Sequence, residues 1–476
     1  MSSTTSRRRF LGTTAAISQA ALVATASAQS QAASEKIVIG VMGLSRGRSL
    51  STSFAKRPNV EIKYVCDVDS QRADSCADLI LGAVNKKPQA IGDFRRILDD
   101  PDVDALVCAA PNHWHAPATI LACQAGKHVY VEKPCSHNPQ EGEWMVQAAR
   151  THKRAVQMGT QRRSGETLRK AITMLSEGVI GRVYHSRAFY FSLRGSIGTG
   201  APAKVPAHLD YDLWQGPAPT TEYMDNRVHY NWHWFWDTGN GDTGNQGVHE
   251  MDVARWAIKD STLPKSVWSV GGRYIPGSKD QGETPNMQLS VYDYGDTLLV
   301  FETRGLVGKS GGPPRNVSNE FYTSEGVIRD WKFHPNNGGS AVNISAEEVT
   351  VTPGGAFGSF INAVRSRKPE DVNCDAEVAH YSSALCHLGN ISYRLGKTVS
   401  FDHKLEQLKQ NKQVAAAFET LTSNLEAVDV NLAGSQYMLG SQLTFDPVAE
   451  QFIGNDDANA LLTREYRKPF VVPREV

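Results

Sequence analysis

Five polar residues with side chains suited to proton transfer or hydrogen bonding lie within one short stretch of the chain, residues 104–134. They are Asn112, His113, His115, Glu132 and Lys133, and they follow two short apolar runs in two groups. Imidazole and ammonium groups can give and take protons once burial or neighbouring charges have shifted their pKa values. The stretch therefore predicts acid–base chemistry, provided that the fold brings both groups together.

The elements around these residues form a strand, a helix and a second strand. Asp104–Ala110 is an apolar run stopped by Pro111, Ala116–Ala125 is helix-like and ends at Gly126, and His128–Val131 is the second run. A right-handed crossover places the carboxyl ends of two parallel strands at one sheet edge, where such sheets bind ligands. Both polar groups are thus expected at one site. No third ligand accompanies His113 and His115, so no metal site is predicted.

The residues before this unit follow the pattern of a dinucleotide-binding domain. An apolar strand, Lys36–Met42, leads into a turn and then a helix-compatible segment, and a second strand, Val60–Val65, ends at Asp67. The turn residues predicted to contact the cofactor are Gly43, Ser45, Arg46 and Gly47. Glycines let backbone amides approach a pyrophosphate, and the acid binds the ribose hydroxyls.

The glycine motif is incomplete, because Ser45 and Arg48 occupy the positions of its second and third glycines. Asp67 favours NAD, since a carboxylate repels the 2′-phosphate of NADP. Arg46 and Arg48 leave NADP open.

The periodicity of the sequence changes beyond residue 158. Arg182–Phe191 alternates and is rich in aromatic residues, which is typical of a different kind of sheet. Further strands are predicted over Ser266–Tyr274, Asn286–Tyr294, Asp296–Arg304 and Glu320–Ile328, and helices over Asn138–His152, Gly165–Gly178, Phe357–Ser366 and Ala376–Leu395. The predicted domains are residues 35–158, residues 159–402, and a C-terminal helical stretch with an irregular tail over 403–476.

The first 34 residues are predicted to be an export signal and linker. Ser6 to Leu11 reads SRRRFL, a weakly apolar run follows, and Ala26-Ser27-Ala28 is a small-x-small cleavage site. The paired arginines resemble a twin-arginine signal, whose pathway carries folded proteins. The protein is therefore predicted to be periplasmic or secreted, with no membrane anchor after processing.

Charge and cysteine content limit the expected partners and the expected state of the cysteines. Lys plus Arg and Asp plus Glu each total 50 of the 476 residues, which excludes nucleic acid as an expected partner. The seven cysteines show neither a CxxC pair nor a disulfide framework. Cys66 and Cys108 lie in apolar runs and are predicted to be buried thiols, in agreement with folding before export.

Several motifs resemble the glucose–fructose oxidoreductase/inositol dehydrogenase family, called Gfo/Idh/MocA. They are PNHWHAP at 111–117, GKHVYVEKP at 126–134, GTQRR at 159–163, YDLWQGPAP at 211–219 and GNQGVHEMDVARW at 244–256. The resemblance covers Lys36 to Asp402. It implies an α/β fold with a Rossmann NAD(P)-binding domain and an α+β substrate domain built on a large open, mainly antiparallel sheet. The open sheet face offers a surface for a second copy, and the family is commonly oligomeric, so a homo-oligomer is expected.

The resemblance also implies residue roles. Lys133 would be the catalytic lysine, followed by a cis Lys133–Pro134 bond, and His249 the catalytic histidine. Four residues before His249 the family usually has an Asp, whereas this chain has Asn245, which cannot accept a proton. Asp242 is the next carboxylate back along the chain. The remaining predicted cofactor contacts are Pro111, Asn112, His115, Glu132 and Lys133 itself.

The substrate is expected to be a small sugar, glycoside or cyclitol. The segment HYNWHWFWD at 229–237 is dense in aromatic side chains, which stack on sugar rings, and Trp234 and Trp236 are predicted to contact the substrate with His249. Arg162 and Arg163 are candidates for binding an acidic substrate group.

Three functions follow from these residues. The first is an exported NAD(P)-dependent oxidoreductase that holds its cofactor tightly and transfers hydride to or from a carbinol carbon. The alternative is an NAD-dependent glycoside hydrolase that oxidises a sugar hydroxyl transiently, eliminates the aglycone, adds water and returns the hydride. The third, a sugar-binding module without catalysis, predicts no bound nucleotide.

Overall fold

The structure is a computed structural model that describes residues 36–307, 314–344, 348–403 and 405–472. The predicted export signal lies outside these residues. The described chain folds into two sheets that share one continuous apolar core. Within the described ranges, no helix combines the length and the apolar character that crossing a bilayer requires.

The first sheet contains six parallel strands in the order β3-β2-β1-β4-β5-β6. They are β1 Ile37–Met42, β2 Val60–Cys66, β3 Gln89–Ile91, β4 Ala105–Cys108, β5 His128–Val131 and β6 Val156–Met158. The helices around it are α1 Gly47–Ala55, α2 Ser70–Val84, α3 Arg95–Asp99, α4 Asn112–Gln124 and α5 Pro139–Thr151. The strand order reverses between β1 and β4, so the ligand crevice of a doubly wound sheet lies there.

Helix α4 begins four residues earlier than predicted. The predicted turn over Asn112 to His115 is the first turn of the helix, and Pro117 lies inside it. Pro111 precedes the helix with an extended backbone, and its carbonyl accepts a hydrogen bond from the Trp114 amide. Because a proline near a helix start breaks only one backbone hydrogen bond, the helix continues through Pro117.

The second sheet contains twelve strands, and ten of them follow the path β14-β13-β12-β11-β7-β10-β9-β8-β16-β15. The β7–β10 pair is parallel, and the other strand pairs of this path are antiparallel. The strands are β7 Val183–Phe191, β8 Ser266–Gly272, β9 Met287–Asp293, β10 Leu298–Arg304, β11 Asn316–Thr323, β12 Gly326–Arg329, β13 Lys332–Pro335, β14 Val342–Asn343, β15 Lys397–Ser400, β16 Gln436–Leu439, β17 Leu443–Asp446 and β18 Gln451–Phe452. The predicted strand Glu320–Ile328 is wrong, because a turn at Ser324 and Glu325 divides it into β11 and β12.

The helices of this half are α6 Glu166–Ser176, α7 Tyr211–Gln215, α8 Val248–Trp256, α9 Gly355–Ser366, α10 Ala376–Arg394, α11 Lys412–Glu426 and α12 Asp456–Ala460. Helix α10 packs its Leu385, Leu388 and Ile391 into the core that holds Val267 and Tyr292 of the sheet. Strand residues alternate between faces, so Trp268 and Val291 point the other way. There α11 covers them with Val414, Leu421 and other apolar residues.

The C-terminal segment therefore corrects two expectations. The tail is not irregular, since β16 and β17 pair with β8 and the tail residues Leu462, Tyr466 and Val472 are buried in the main core. The second sheet face is also not fully open, because the chain's own helix α11 occupies part of it. All seven cysteines are buried, unpaired thiols.

Candidate active site

Gly43 allows the turn after β1 to press against the end of β4. Its φ is +81°, and a Cβ placed there would lie 2.5 Å from the Ala110 amide nitrogen and 2.6 Å from the Ala109 carbonyl carbon. Any other residue would strain the backbone and clash with main-chain atoms. The sequence prediction at Gly43 thus has a steric basis. Gly47 is less restricted, since a Cβ would lie 3.2 Å from Val41 Cγ1.

Asp67 binds this turn from the end of β2. Its Oδ2 accepts a hydrogen bond of 2.7 Å from the Leu44 amide, and its Oδ1 accepts one of 3.0 Å from the Asp69 amide. Burial raises the pKa of the Asp67 carboxyl. Each oxygen keeps acceptor capacity for a ribose hydroxyl, because a carboxylate oxygen can accept more than one hydrogen bond.

A cavity of about 620 Å³ lies beside this turn, and Asp67 and Gly43 line it. Its other lining residues include Ser45, Arg72, Ala110, Pro111, Trp214, His229 and Trp232. The steric cradle at Gly43, the acid at Asp67 and the position at the strand-order reversal all fit a nicotinamide dinucleotide. Sequence reasoning did not identify Arg72, Trp214 or Trp232 as cavity residues, although Trp214 lies in the motif YDLWQGPAP and Trp232 in the aromatic segment HYNWHWFWD.

The basic residues near the cavity have different partners from those expected. Arg46 donates to the Glu132 carboxylate over 3.3 Å and to Ser49, and neither Arg46 nor Arg48 lines the cavity. Arg72 does line it and donates to Ser45 Oγ over 2.7 Å. A cation that could accommodate a 2′-phosphate is therefore Arg72, rather than the predicted Arg46 or Arg48.

His115, a predicted cofactor contact, has both ring nitrogens against backbone oxygens. His115 is buried in α4 with Nδ1 2.5 Å from the Pro134 carbonyl oxygen and Nε2 2.6 Å from the Ala110 carbonyl oxygen. It thereby connects the end of β4 to the peptide that follows Lys133. Asn112 is also buried, and its amide donates to Asn240 Oδ1 over 2.9 Å. Both residues thus support the structure of the site.

Lys133 follows β5 and points toward the segment before α8. Its Nζ donates a hydrogen bond to the backbone oxygen of Asn245, and the Lys133–Pro134 bond is cis, as expected. Burial lowers the pKa of the Lys133 ammonium, while the charge of Glu132 acts in the opposite direction. A lysine whose pKa is lowered can serve as a base nearer neutral pH.

Asn245 lies in a π-helical turn, Thr243–Gly247, which runs directly into α8. Its main-chain oxygen, rather than its side-chain amide, contacts Lys133. Asp242, which precedes this turn, is buried and accepts a hydrogen bond of 2.6 Å from Arg194. Sequence periodicity did not reveal the π-helical turn, a feature that often occurs at functional sites.

His249 follows in the first turn of α8. Its Nδ1 is buried and has no hydrogen-bond partner among the residues that the structure describes. Burial, and then the charge of Lys133, lowers the pKa of His249 to about 3. The imidazole is therefore neutral at physiological pH and can accept or donate a hydrogen bond. His233 is influenced similarly, since burial and the Lys133 charge lower its pKa to about 3.

Glu250, which sequence reasoning missed, lies beside His249. It is 1% exposed and forms a 3.0 Å ion pair with Arg162. Burial nevertheless raises the pKa of Glu250 to about 7, so desolvation outweighs the ion pair. The charge of Arg162 also lowers the pKa of His249, which places this predicted substrate residue at the site.

The other predicted substrate residues are Arg163, Trp234 and Trp236. Arg163 is buried, forms a two-pronged ion pair with Asp252 through Nε and Nη2, and lies 4.5 Å over the Trp256 ring. Trp234 is buried beneath the Arg194 guanidinium. Trp236 lines a second cavity, which neither Lys133 nor His249 lines.

No group of three or more His, Cys, Asp or Glu side chains is arranged to hold a metal ion in the described part of the chain.

Comparison with known families agrees with this geometry. Residues 35–160 match the GFO_IDH_MocA model, described as an oxidoreductase family with an NAD-binding Rossmann fold. Residues 183–272 match the C-terminal alpha/beta domain of the same family.

Three curated relatives cover different shares of the chain. An uncharacterized oxidoreductase, YrbE of Bacillus subtilis, is 24% identical over 62% of this chain and 80% of its own length. Levoglucosan dehydrogenase of Pseudarthrobacter phenanthrenivorans is 26% identical over 50% of this chain and 57% of its own. A glycosyl hydrolase family 109 protein of Shewanella sp. strain MR-4 is 30% identical over 33% of this chain and 35% of its own. The chain thus spans little more than half of the second relative and about a third of the third.

Solved structures show the same fold. The WlbA dehydrogenase of Bordetella pertussis, in complex with NADH and UDP-GlcNAcA, has a TM-score of 0.56 at 20% identity. It aligns over 76% of this chain and 97% of its own. A levoglucosan dehydrogenase in complex with NADH has a TM-score of 0.54 at 18% identity, over 75% and 97% of the two chains.

Proposed function

The chain belongs to the Gfo/Idh/MocA oxidoreductase family, and from that premise we propose that it moves hydride between a sugar carbinol carbon and NAD. One observation carries the proposal. Lys133, with its lowered pKa, and His249, with an unpartnered buried nitrogen, lie together at the ligand-binding edge of the NAD-binding sheet. A bound hydroxyl can lose its proton there while its carbon loses hydride.

Some of these residues bind the cofactor, and others bind the substrate hydroxyl or accept its proton. Gly43, Ser45 and Asp67 hold the cofactor, whose nicotinamide ring supplies the hydride acceptor. The neutral amine of Lys133 accepts the hydroxyl proton as the carbonyl forms. Neutral His249 holds the same hydroxyl by a hydrogen bond and orients it. Asp67 favours NAD, and Arg72 leaves NADP open.

The substrate class follows from the walls of the site and from the relatives. His233 stacks on Trp232 with ring centroids 3.6 Å apart, and Trp232 lines the cofactor cavity. Flat aromatic surfaces near a proton-transferring pair suit a sugar ring. Relatives named levoglucosan dehydrogenase and glycosyl hydrolase family 109 protein support a sugar or glycoside.

The test is to denature the purified protein, identify any released nucleotide, and measure oxidation of a panel of sugars and cyclitols with and without added NAD. We expect bound NAD or NADH and sugar-dependent reduction of it. A matched Lys133→Met protein should retain the nucleotide but reduce none of it. A protein that carries no nucleotide and binds none when it is added would be a sugar-binding module instead.

The second candidate is a glycoside hydrolase that uses NAD transiently. It is favoured by Asn245, which offers no carboxylate to a simple dehydrogenase site and whose carbonyl instead binds Lys133. A sugar hydroxyl is oxidised, the aglycone is eliminated, water adds to the double bond and the hydride returns, with no net redox change. Cleavage of an aryl glycoside without added oxidant, lost in Lys133→Met, would select this function over net oxidation.

We further propose export by the twin-arginine route, because the SRRRFL sequence precedes a chain whose seven cysteines are all unpaired thiols. A cofactor loaded before export would remain bound and be regenerated in each cycle. Replacing both Arg7 and Arg8 with Lys should keep the protein in the cytoplasm, as cell fractionation would show. Nicotinamide that is lost on dialysis would contradict retention of the cofactor.

A homo-oligomer would pair through the part of the second sheet that α11 leaves uncovered. Helix α11 buries Val414 and Leu421 against one region of this face, so a partner has less of the sheet available. Light scattering on the purified protein gives the mass that decides between a monomer and an oligomer.

A further inference from the structure

A second cavity, of about 940 Å³, lies between the C-terminal tail and the start of α5. Five segments of the chain line it, and four of them contribute His137, Trp236, Arg394 and Arg464. Neither Lys133 nor His249 lines it, so the proposed hydride transfer leaves it without a role. Its polar groups indicate a binding site of its own.

Arg464 presents one edge of its guanidinium group without a protein partner. Its Nη1 donates to the Asp237 backbone oxygen over 2.8 Å and lies 3.1 Å from His137 Nδ1. Its Nε and Nη2 are buried, and they have no hydrogen-bond partner among the described residues. These two nitrogens form the edge that binds a carboxylate with two parallel hydrogen bonds. Since Nη1 is held in place, the orientation of that edge is set before any ligand binds.

His137 adds a third donor. Because Arg464 Nη1 can only donate, His137 Nδ1 accepts, and the proton of the neutral ring must be on Nε2. Nε2 is buried and also lacks a partner among the described residues. The residue is 9% exposed, so bulk water does not freely replace a ligand. Burial lowers the pKa of His137 well below its usual value, in agreement with a neutral ring.

The surroundings combine positive charge with an aromatic wall. Arg394 lies 5.3 Å over the Trp236 ring, and both residues line the cavity. The acidic residues are Asp237 and Glu465 in the lining and Glu141 behind it. Asp237 lies 3.6 Å from Arg227, and Glu141 accepts hydrogen bonds from the His137 amide and the Tyr466 hydroxyl. None of the three accepts a hydrogen bond from Arg464 Nε or Nη2.

We propose that this cavity binds the carboxylate of a small organic acid. Arg464 Nε and Nη2 donate to its two oxygens, and His137 Nε2 donates to one of them. The Trp236 ring provides a flat apolar wall for the body of the ligand. A cyclic polyol acid, such as a sugar acid, combines these features in one molecule.

Calorimetric titration of the full-length protein tests the proposal. The probes are D-glucuronate and its neutral methyl ester, which differ only in the charge and acceptor capacity of one group. We expect the acid to bind about 10- to 100-fold more tightly than the ester, as charge-assisted hydrogen bonds allow. Arg464→Lys keeps the positive charge but loses the two-pronged edge, so it should weaken acid binding by at least about 10-fold.

Two matched variants separate this cavity from the active site. Lys133→Met should leave D-glucuronate binding unchanged, and so should Arg96→Met, which alters an exposed arginine that lines neither cavity. Equal binding of acid and ester to the unmodified protein would overturn the proposal, and this result does not depend on any variant folding. Loss of binding in Lys133→Met with retention in Arg464→Lys would place the acid in the active site instead. Binding of inorganic phosphate without binding of D-glucuronate would also overturn it.

Discussion

Two pairs of polar residues in this region differ in how completely their hydrogen bonds are made. Arg163 and Asp252 are 6% and 0% exposed, and three hydrogen bonds of 2.8–3.0 Å join them. Lys133 and His249 lie in the same region, since His249 is three residues before Asp252 in α8. Their polar groups are only partly paired, because His249 Nδ1 has no partner among the described residues.

The sequence predicted Arg163, Lys133 and His249 at one site, and the comparison of their hydrogen bonds distinguishes them. A buried charge is tolerated when its hydrogen bonds are complete, as Ser382 completes those of Asp252 with a bond of 2.6 Å. An incomplete set costs folding free energy and is retained where a ligand completes it. Arg163 therefore stabilises the position of α8, and we propose that His249 on the same helix binds the substrate.

The strongest test of this difference is Lys133→Met. Met fills a similar volume but cannot accept a proton, so we expect kcat to fall about 10³- to 10⁴-fold with little change in melting temperature. Stopped-flow absorbance of the bound nicotinamide, together with thermal unfolding, measures both quantities. A variant that unfolds at a much lower temperature would place Lys133 with the supporting pair.

The matched change in the supporting pair is Arg163→Met. It leaves the Asp252 carboxylate buried without its cation, which costs about 3–5 kcal/mol of the free energy of unfolding. Denaturant unfolding measures the loss, and the double variant Arg163→Met with Asp252→Leu should recover much of it. Normal stability with lost activity would instead make Arg163 a substrate residue.

His249→Ala should have a smaller effect on kcat than Lys133→Met, about 10²-fold, because the histidine orients the hydroxyl while the lysine takes its proton. The melting temperature should stay near that of the unmodified protein, since Nδ1 has no hydrogen-bond partner to lose within the described ranges. Steady-state kinetics with Lys133→Met as the reference decides the order of the two effects.

Features encoded by neighbouring residues were predictable from the sequence. The turn at Gly43, the acid at Asp67 and the position of Lys133 each follow from a strand and its next few residues, and the structure places all three as expected. The two-domain α/β architecture also followed, because periodicity changes where the second sheet begins.

Features made by packing between distant segments were not predictable. His115 has the right chemistry for a site, but two carbonyl groups brought by the fold surround it. Trp236 lies close in sequence to Trp232 but lines a different cavity. The tail was predicted to be irregular because its pairing partner, β8, lies about 170 residues earlier in the chain.

Glu250→Gln gives the smallest effect and tests how the charge behind the site tunes Lys133. Ionised Glu250 raises the pKa of Lys133, so the neutral amide should lower the pH at which Lys133 loses its proton, by about one unit or less. The pH dependence of kcat for sugar oxidation reports this shift, and Glu177→Gln, at an exposed position, serves as the control. An unchanged profile would mean that Glu250 only holds Arg162.

The pH dependence of stability reports on Glu250 independently of catalysis. The pKa of Glu250 is about 7 in the folded protein, above its ordinary value of 4.5. The folded state therefore keeps a proton that the unfolded state loses between these pH values, and the contribution of Glu250 to stability falls as pH rises through that window. Glu250→Gln removes this slope, whereas Arg163→Met should leave it in place. The two buried carboxyl groups of α8 thus differ in pKa. Burial raises the pKa of Glu250, whereas Arg163 keeps that of Asp252 low.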